Sequence, residues 1–340
     1  MNMRLRLPLV IAGLAALSAT AGAQSFDVRV PDNEKVKARH ISVAYQGGSE
    51  QSEHFTSKYK LGREGSVSVS NVSGDIVVTG GSGDEVSVEA IKRTRGGRGE
   101  LGEVHIDVDS RAGRVDIRTN YPYRSDNRVS VDYTITVPAS AAVDAHSVSG
   151  SVKITGVSGL VHAESVSGNV TTARTPKLES AKSVSGAIDL TDATADSDLN
   201  ASSVSGSVHA KGLKARSLTI GTVSGDVSLI DVTCERLGAK SVSGGVEYSG
   251  SIVKSGRYDI NAHSGTIRLT LGSDVGFELN ANTFSGSIRS DLPLTIGGDT
   301  NRSEVRNRGF SNRSIRATFG DGSAILTVRT FSGDIVISKR

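Results

Sequence analysis

The sequence has little of what usually packs or cross-links a globular core. Its 340 residues include no Trp, 4% aromatic residues, six Pro and one Cys. The single Cys234 excludes an internal disulfide framework and a metal site built from cysteines alone. Its position within a repeat favours a buried structural thiol. Few aromatics and 39 glycines together favour turn-rich β structure over packed helices.

An excess of charge of one sign is lacking as well. The 39 Lys and Arg residues oppose 36 Asp and Glu residues, which leaves a formal net charge of +3. Proteins that bind nucleic acid usually carry a clustered basic excess, so we expect no nucleic-acid partner. The seven His residues show no metal-binding spacing, and we expect neither a metal nor a cofactor.

Long apolar runs are missing except near the start of the chain. Arg4 and Arg6 precede a mostly apolar stretch over residues 7–17, and Ala21-Gly22-Ala23 forms an A-x-A cleavage site. This pattern predicts a signal peptide over residues 1–23. The run is too short for an ordinary membrane span. We therefore expect an exported mature chain without a transmembrane segment, in the periplasm, on the outer surface or secreted.

What the sequence does contain is a repeated Ser-Val-Ser-Gly motif. It ends at Gly150, Gly168, Gly186, Gly206 and Gly244, and close variants end at Gly74, Gly159, Gly225, Gly265, Gly286 and Gly333. From Gly168 to Gly286 the intervals are 18 to 21 residues. A fixed period near 20 residues is the signature of stacked repeats.

Each repeat also has an alternating apolar pattern. Apolar residues stand five and three residues before the motif valine and two residues after the glycine, as in Val143, Ala145 and Val152. Alternation of this kind is typical of half-buried strands. We place the valine and glycine inward and both serines outward, with a bend before the valine. Glu179 departs from the pattern, because an apolar residue is expected there.

Two short strands and two corners per repeat predict an all-β fold. We expect a single-stack β-solenoid, like a parallel β-helix, with about 20 residues per turn and turns about 4.8 Å apart. The motif glycine has two interpretations: a missing side chain that lets the wall narrow, or a corner with positive φ.

The repeats also predict how the chain is divided. Residues 24–64 are predicted to form an N-terminal cap and residues 65–340 the solenoid. An antiparallel β insert is expected at about residues 80–142, because four alternating segments there are separated by turn-like stretches. A polar interruption is expected at about residues 290–324.

Three stretches carry a family resemblance: Val72-Ser73-Gly74-Asp75-Ile76-Val77-Val78, Tyr133-Thr134-Ile135-Thr136-Val137-Pro138 and Phe331-Ser332-Gly333-Asp334-Ile335. With the strand from Asp84 to Ala90, their order and spacing resemble the bacterial "putative adhesin" family, a domain of unknown function, over residues 60–340. The resemblance implies a secreted or envelope-associated β-solenoid and transfers no catalytic residue.

Two surface features are candidate binding sites. The serines of successive motifs form a ladder along the predicted solenoid, which we call the serine ladder. Its hydroxyls either pack at the corner or bind a glycan, an ordered surface or another copy of the protein. The candidate binding residues are the second serines: Ser149, Ser167, Ser185, Ser205, Ser224 and Ser243. Lys92, Arg93, Arg95 and Arg98 are predicted to lie on a loop, where Arg93, Arg95 and Arg98 are candidate contacts for anionic envelope polymers. A second basic cluster runs from Arg302 to Arg316.

Catalytic patterns are weak. Asp189, His209 and Ser228 fall on successive turns, yet nothing in the sequence indicates an oxyanion hole beside them. We therefore expect a non-enzymatic, adhesin-like binding or scaffold protein whose partner is an envelope polysaccharide or another envelope protein. The alternatives are a filament or scaffold assembled through the solenoid ends, and a polysaccharide-active β-helix enzyme.

Overall fold

The computed structural model describes residues 39–41, 50–97, 99–122, 128–272, 274–296 and 314–340. All of them belong to one compact unit, Val36–Arg340. The predicted signal peptide lies outside the described residues, as does the cap before Arg39. Among the described residues, none of the helical structure is long and apolar enough to cross a membrane.

The described chain is nearly all β, as predicted. Its first part contains β1 (Arg39–Ile41), β2 (Gln51–Lys60), β3 (Ser66–Ser73), β4 (Ile76–Gly81), β5 (Glu85–Thr94), helix α1 (Gly99–Glu103), β6 (His105–Arg111), β7 (Arg114–Asn120), β8 (Ser130–Pro138), β9 (Ala142–Ser149), β10 (Val152–Thr155), β11 (Leu160–Ser165), β12 (Val170–Ala173) and β13 (Lys177–Ser183). Its second part contains β14 (Ile188–Thr191), β15 (Thr194–Ser203), β16 (Val208–Lys211), β17 (Lys214–Thr222), β18 (Val227–Ser243), β19 (Val246–Ser251), β20 (Arg257–Ser264), β21 (Ile267–Leu271), β22 (Phe277–Ser285), β23 (Ile288–Ser290), β24 (Thr295–Ile296), β25 (Ser314–Phe319), β26 (Ala324–Ser332) and β27 (Ile335–Lys339).

Most strands pair in parallel with their equivalents one repeat away, in two series. The pre-glycine ladder runs β7, β3, β9, β11, β13, β15, β17, β18, β20, β26 and β22. The post-glycine ladder runs β8, β4, β10, β12, β14, β16, β18, β19, β21, β27 and β23. The 17-residue strand β18 belongs to both. These pairings confirm the predicted parallel strands.

The predicted inward positions form the core. Val143, Ala145 and Val152 are fully or almost fully buried, and their equivalents along both ladders are buried too. The apolar side chains therefore face one another between the ladders, and the polar residues that alternate with them face solvent.

The departure at Glu179 is resolved by a bulge. Val161 pairs with Leu178, but His162 pairs with Ser180, so Glu179 is the extra residue. Leu178 is fully buried and fills the core position in its place. The one-residue bulge shifts the alternation by one position, so the inward-facing residues of this strand again align with those of the neighbouring turns.

Antiparallel pairs occur within residues 80–142, β5 with β8 and β6 with β7. Two of these strands, β7 and β8, also belong to the parallel ladders. β7 pairs in parallel with β3, and β8 pairs in parallel with β4, so these two strands extend both ladders by one rung. The short helix α1, which the sequence pattern did not predict, leads into β6.

The stacking order differs from the chain order at the C-terminal end. The last turn, β26–β27, lies between the turn β20–β21 and the earlier turn β22–β23. β25 then pairs antiparallel with β22, and β24 pairs antiparallel with β25. The predicted interruption at about residues 290–324 thus supplies two strands that cover the pre-glycine ladder.

Candidate interaction surface

The Ser-Val-Ser-Gly corner has a different orientation from the predicted one. The first serine, Ser147, is 4% exposed, whereas Val148 is 49% exposed. The predicted inward valine and outward first serine are therefore both wrong. The strand alternation that buries Val143 and Ala145 continues without a break to Ser147, and the chain bends only after it.

In most turns a buried hydroxyl at the first motif position holds the corner together. Ser165 Oγ donates a hydrogen bond to the carbonyl of Gly150 in the preceding turn (2.8 Å) and accepts one from Gly168 N–H (2.9 Å). Ser183 and Ser203 repeat both contacts. Because backbone groups at a buried corner need partners, these hydroxyls have a structural role.

The motif glycines form a close-packed column. A Cβ atom built at Gly206 would lie 2.0 Å from the carbonyl oxygen of Gly186, and at Gly168 it would lie 2.1 Å from that of Gly150. Of the two interpretations, close approach therefore holds in these turns. Gly74 is different: its φ is +107°, so the positive-φ interpretation applies there.

Outside this column runs a row of exposed side chains, all apolar except one histidine, which we call the apolar row. In stacking order it consists of Val72, Val148, Val166, Val184, Val204, Val223, Val242, His263, Phe331 and Phe284. The valines are 42–49% exposed and Phe331 is 50% exposed. Phe331 stacks on His263 and on Phe284, with ring centroids 5.0 Å and 4.8 Å apart. Ten rungs at strand spacing span about 43 Å.

The predicted serine ladder runs beside the apolar row. Its outer members, which we call the hydroxyl row, are exposed at every rung: Ser149, Ser167, Ser185, Ser205, Ser224 and Ser243. Backbone hydrogen bonds hold the rungs in register, as from Ser167 N–H to the Val148 carbonyl (2.8 Å) and from Ser205 N–H to the Val184 carbonyl (2.8 Å). Apart from His263, the two rows carry no ionisable side chain. The edge is therefore a regular, uncharged strip of apolar and hydroxyl groups.

Comparison with known proteins places this architecture in a family. The Toastrack DUF4097 family model matches residues 155–338, which is more than half of the chain. The chain belongs to the Toastrack DUF4097 family. The match begins later than the resemblance over residues 60–340, and it includes eight of the ten rungs of the apolar row. No curated protein matches the chain.

Solved structures with similar coordinates include three bacterial proteins. A "putative adhesin" from Bacteroides fragilis is 13% identical over 84% of this chain and 96% of its own, with a TM-score of 0.43. A "putative lipid binding protein" from Parabacteroides distasonis is 12% identical over 88% and 100%, with a TM-score of 0.46. A "putative cell adhesion protein" from Clostridium sporogenes is 9% identical over 86% and 100%, with a TM-score of 0.23. Likenesses at this level do not bear on what the Toastrack chain binds.

The structure divides the first basic cluster between two sides of a strand. Lys92 and Arg93 lie in β5 rather than on the predicted loop, so their side chains point in opposite directions. Lys92 is buried, with Nζ 3.3 Å from the Leu101 carbonyl. Arg93 is exposed and forms an ion pair with Asp132 (2.9 Å). Arg95 is exposed just after the strand.

Arg98 lies outside the described residues, and so does most of the second cluster. Of that cluster the structure describes Arg316, which is exposed in β25.

The serine-protease-like set lies on an open face. Asp189, His209 and Ser228 occupy equivalent positions on successive rungs of the post-glycine ladder. His209 is exposed. Equivalent positions on adjacent rungs are neighbours in any such ladder, so their proximity does not indicate catalysis.

An ionic cluster lies on the outer face of the pre-glycine ladder. Glu164 lies 3.0 Å from Lys182 Nζ and 3.4 Å from His146 Nδ1. The hydrogen bond from Lys182 holds the pKa of Glu164 below its usual range. Within the described ranges, no group of three or more His, Cys, Asp and Glu residues is arranged to hold a metal ion.

The one thiol is structural, as predicted. Cys234 is 2% exposed, and burial raises its pKa to about 12. Since the thiolate is the reactive form, a thiol in this environment is inert in the folded protein.

Proposed function

We propose that the chain is a non-enzymatic, adhesin-like binding or scaffold protein built as a single-stack β-solenoid. The observation that carries the proposal is the edge formed by the apolar and hydroxyl rows. The apolar row extends over ten rungs and the hydroxyl row accompanies it over six of them, at a spacing set by backbone pairing. A long, regular, uncharged strip suits multivalent contact with another repetitive or extended surface more than binding of one small molecule.

The sequence supports an envelope location for this role. Residues 1–23 have the features of a signal peptide, and we propose that the mature chain acts in the periplasm, on the outer surface or outside the cell. The proposed partners are an envelope polysaccharide or another envelope protein. The hydroxyl row can donate and accept hydrogen bonds, as sugar recognition requires. Arg95 and Arg93 are the proposed contacts for anionic groups, with Arg93 already partly neutralised by Asp132.

The alternative in which solenoid ends assemble into filaments is less well supported. Antiparallel strands cover the pre-glycine ladder at both ends, β6 on β7 and β25 on β22. β5 covers β8 in the same way. Solenoid ends that polymerise need exposed edge strands, and covered edges are how native proteins prevent such pairing.

Capture of envelope components by the immobilised mature protein tests the proposal. Two variants accompany the wild type: one with Ser167, Ser185 and Ser205 changed to Lys, and one with Arg93→Glu and Arg95→Glu. We expect the wild type to retain a defined polysaccharide or protein, and the serine variant to lose it. Loss only in the arginine variant, with strong salt dependence, would assign binding to the basic side. Retention of no envelope component by the wild type would refute the proposal.

A further inference from the structure

The apolar row exposes a continuous stretch of hydrophobic surface to solvent. A valine side chain carries on the order of 100 Å² of apolar surface, so seven that are nearly half exposed contribute about 300 Å². Phe331, half exposed, adds about 100 Å². A continuous patch of about 400 Å² is within the range of the largest patches on monomeric proteins, which are often functional.

The chemistry of the edge restricts what can cover it. The partner must be uncharged along about 43 Å, present apolar groups to the valines and hydroxyl groups to the serines, and repeat at about 4.8 Å. An irregular protein surface does not repeat at this interval. A second copy of the same edge meets every one of these requirements, because self-complementary patches are what two-fold dimers use.

We propose that the apolar and hydroxyl rows are the interface of a homodimer in which two copies pair edge to edge. The areas agree with this assignment. A standard interface buries about 800 Å² on each partner, somewhat more than half of it apolar. The apolar row supplies about 400 Å² of that surface, and the hydroxyl row lies where the polar remainder is needed. Antiparallel strands cover three of the four ladder ends, and this lateral edge is the surface that we assign to pairing.

An extended lipid chain is the main competing occupant. The valines protrude from a corner, each nearly half exposed, so a thin hydrocarbon chain would be covered on one side only. A second edge of equal length covers both rows at once and removes more apolar surface from water.

Sedimentation velocity of the purified mature protein over a range of concentrations tests the proposal. Val204→Asp and Val223→Asp lie at the centre of the row, and Ile230→Asp is the matched control. Ile230 is 40% exposed but lies outside the row. We expect a wild-type dimer, a dimer in the Ile230 variant, and dissociation constants raised on the order of 100-fold by either central variant, because like charges then face each other. Circular dichroism and melting curves confirm that each variant is folded.

Cysteine cross-linking locates the interface independently. Cys234 is the only native cysteine and is buried, so Val204→Cys or Val223→Cys supplies the only reactive thiol. In either orientation of a centred two-fold dimer, each central residue lies within about one rung of its symmetry mate. We expect covalent dimers on oxidation or with a short bis-maleimide, and none for Ile230→Cys.

Two results would overturn the dimer: a wild-type monomer, with or without bound lipid or glycan, or a dimer that Val204→Asp leaves intact. This inference deepens the proposed function: it rests on the edge being a binding surface and assigns that edge to a second copy of the chain in place of a polysaccharide. The two can fail separately. A monomer that captures envelope material removes the dimer and keeps the proposed function. A dimer that captures none keeps the interface and counts against the proposed function.

Discussion

Gly206→Ala should destabilise the fold far more than an ordinary Gly-to-Ala change. The new Cβ would lie 2.0 Å from the Gly186 carbonyl oxygen and 2.4 Å from its carbon, against 3.4 Å or more for ordinary contact. The obstacle is backbone, so a rotamer change cannot relieve it, and the two rungs must separate. Separation weakens the Ser205 N–H bond to the Val184 carbonyl (2.8 Å) and the Ser203 Oγ bond to the Gly186 carbonyl (2.9 Å).

The expected cost combines two contributions. Overpacking a tight site costs about 1–3 kcal/mol, and each weakened hydrogen bond about 1 kcal/mol. We therefore expect the free energy of unfolding to fall by about 3–5 kcal/mol, and the melting temperature by roughly 10 °C. Urea denaturation followed by far-UV circular dichroism measures the first quantity. Because each turn contacts only its neighbours, amide exchange should show the loss on the adjacent rungs first.

Gly238→Ala is the matched control. Gly238 lies in the same ladder, but a Cβ there would meet nothing within 4 Å. Alanine at such a site usually stabilises by about 0.4–1 kcal/mol, because it restricts the unfolded chain. The two substitutions should therefore have opposite signs. Equal unfolding midpoints for the two variants would refute the close-packed column.

Four further predictions concern single side chains. Ser203→Ala should cost about 1–3 kcal/mol in urea denaturation, because it leaves two buried backbone groups without partners. Ser147→Ala should be nearly neutral, since Ser147 Oγ is buried without a hydrogen-bond partner; a similar loss in both would contradict this role of the hydroxyls. Cys234 should react with a thiol reagent only as fast as the chain opens, and rapid labelling in native buffer would disprove its burial. Because the pKa of Glu164 is lowered in the folded state, the ionised carboxylate stabilises the fold at pH values above its unfolded-state pKa of about 4.3. This stability is lost as the pH falls through the folded-state pKa. Glu164→Gln should remove less than 1 kcal/mol at neutral pH, because the Lys182 pair is partly exposed, and an equal loss at pH 3 would contradict the assignment.

The strand pattern was predictable from sequence because it is local. Alternation at Val143, Ala145 and Val152 reports which side chains face the core, and the structure buries all three. The predicted orientation of Val148 is wrong because the prediction places a bend before this residue, where the strand alternation continues. A signal for the correct orientation was present: Val148 is replaced by His263, Phe284 and Phe331 in other turns. A close-packed corner could not hold valine, histidine and phenylalanine in turn, so this variation indicates an exposed position.

Other features depend on contacts between distant parts of the chain, which a repeat count does not contain. The insertion of β26–β27 between two earlier turns is decided by which strand edges pair, and every turn offers an equivalent edge. The bulge at Glu179 likewise depends on the pairing of Leu178 with Val161 on the neighbouring strand. The apolar row follows from the corner geometry, so it could not be recognised while the valines were placed inward.

The four motif positions have two different roles at the corner: two stabilise it and two are exposed on its surface. Substitutions at the exposed positions can therefore change binding without loss of stability. The close-packed glycine fixes the distance between rungs, which explains why all ten rungs carry glycine, and the buried first residue, which is Asn, Ser, Thr or Ala, adds hydrogen bonds to the corner in most turns. The side chains of the exposed valine and the second serine repeat at that distance and contribute little to setting it. Their side chains can therefore vary, as Phe331 and His263 do, while the backbone continues to present them at strand spacing. A surface built in this way can change its partner through the outer two positions while the inner two remain the same.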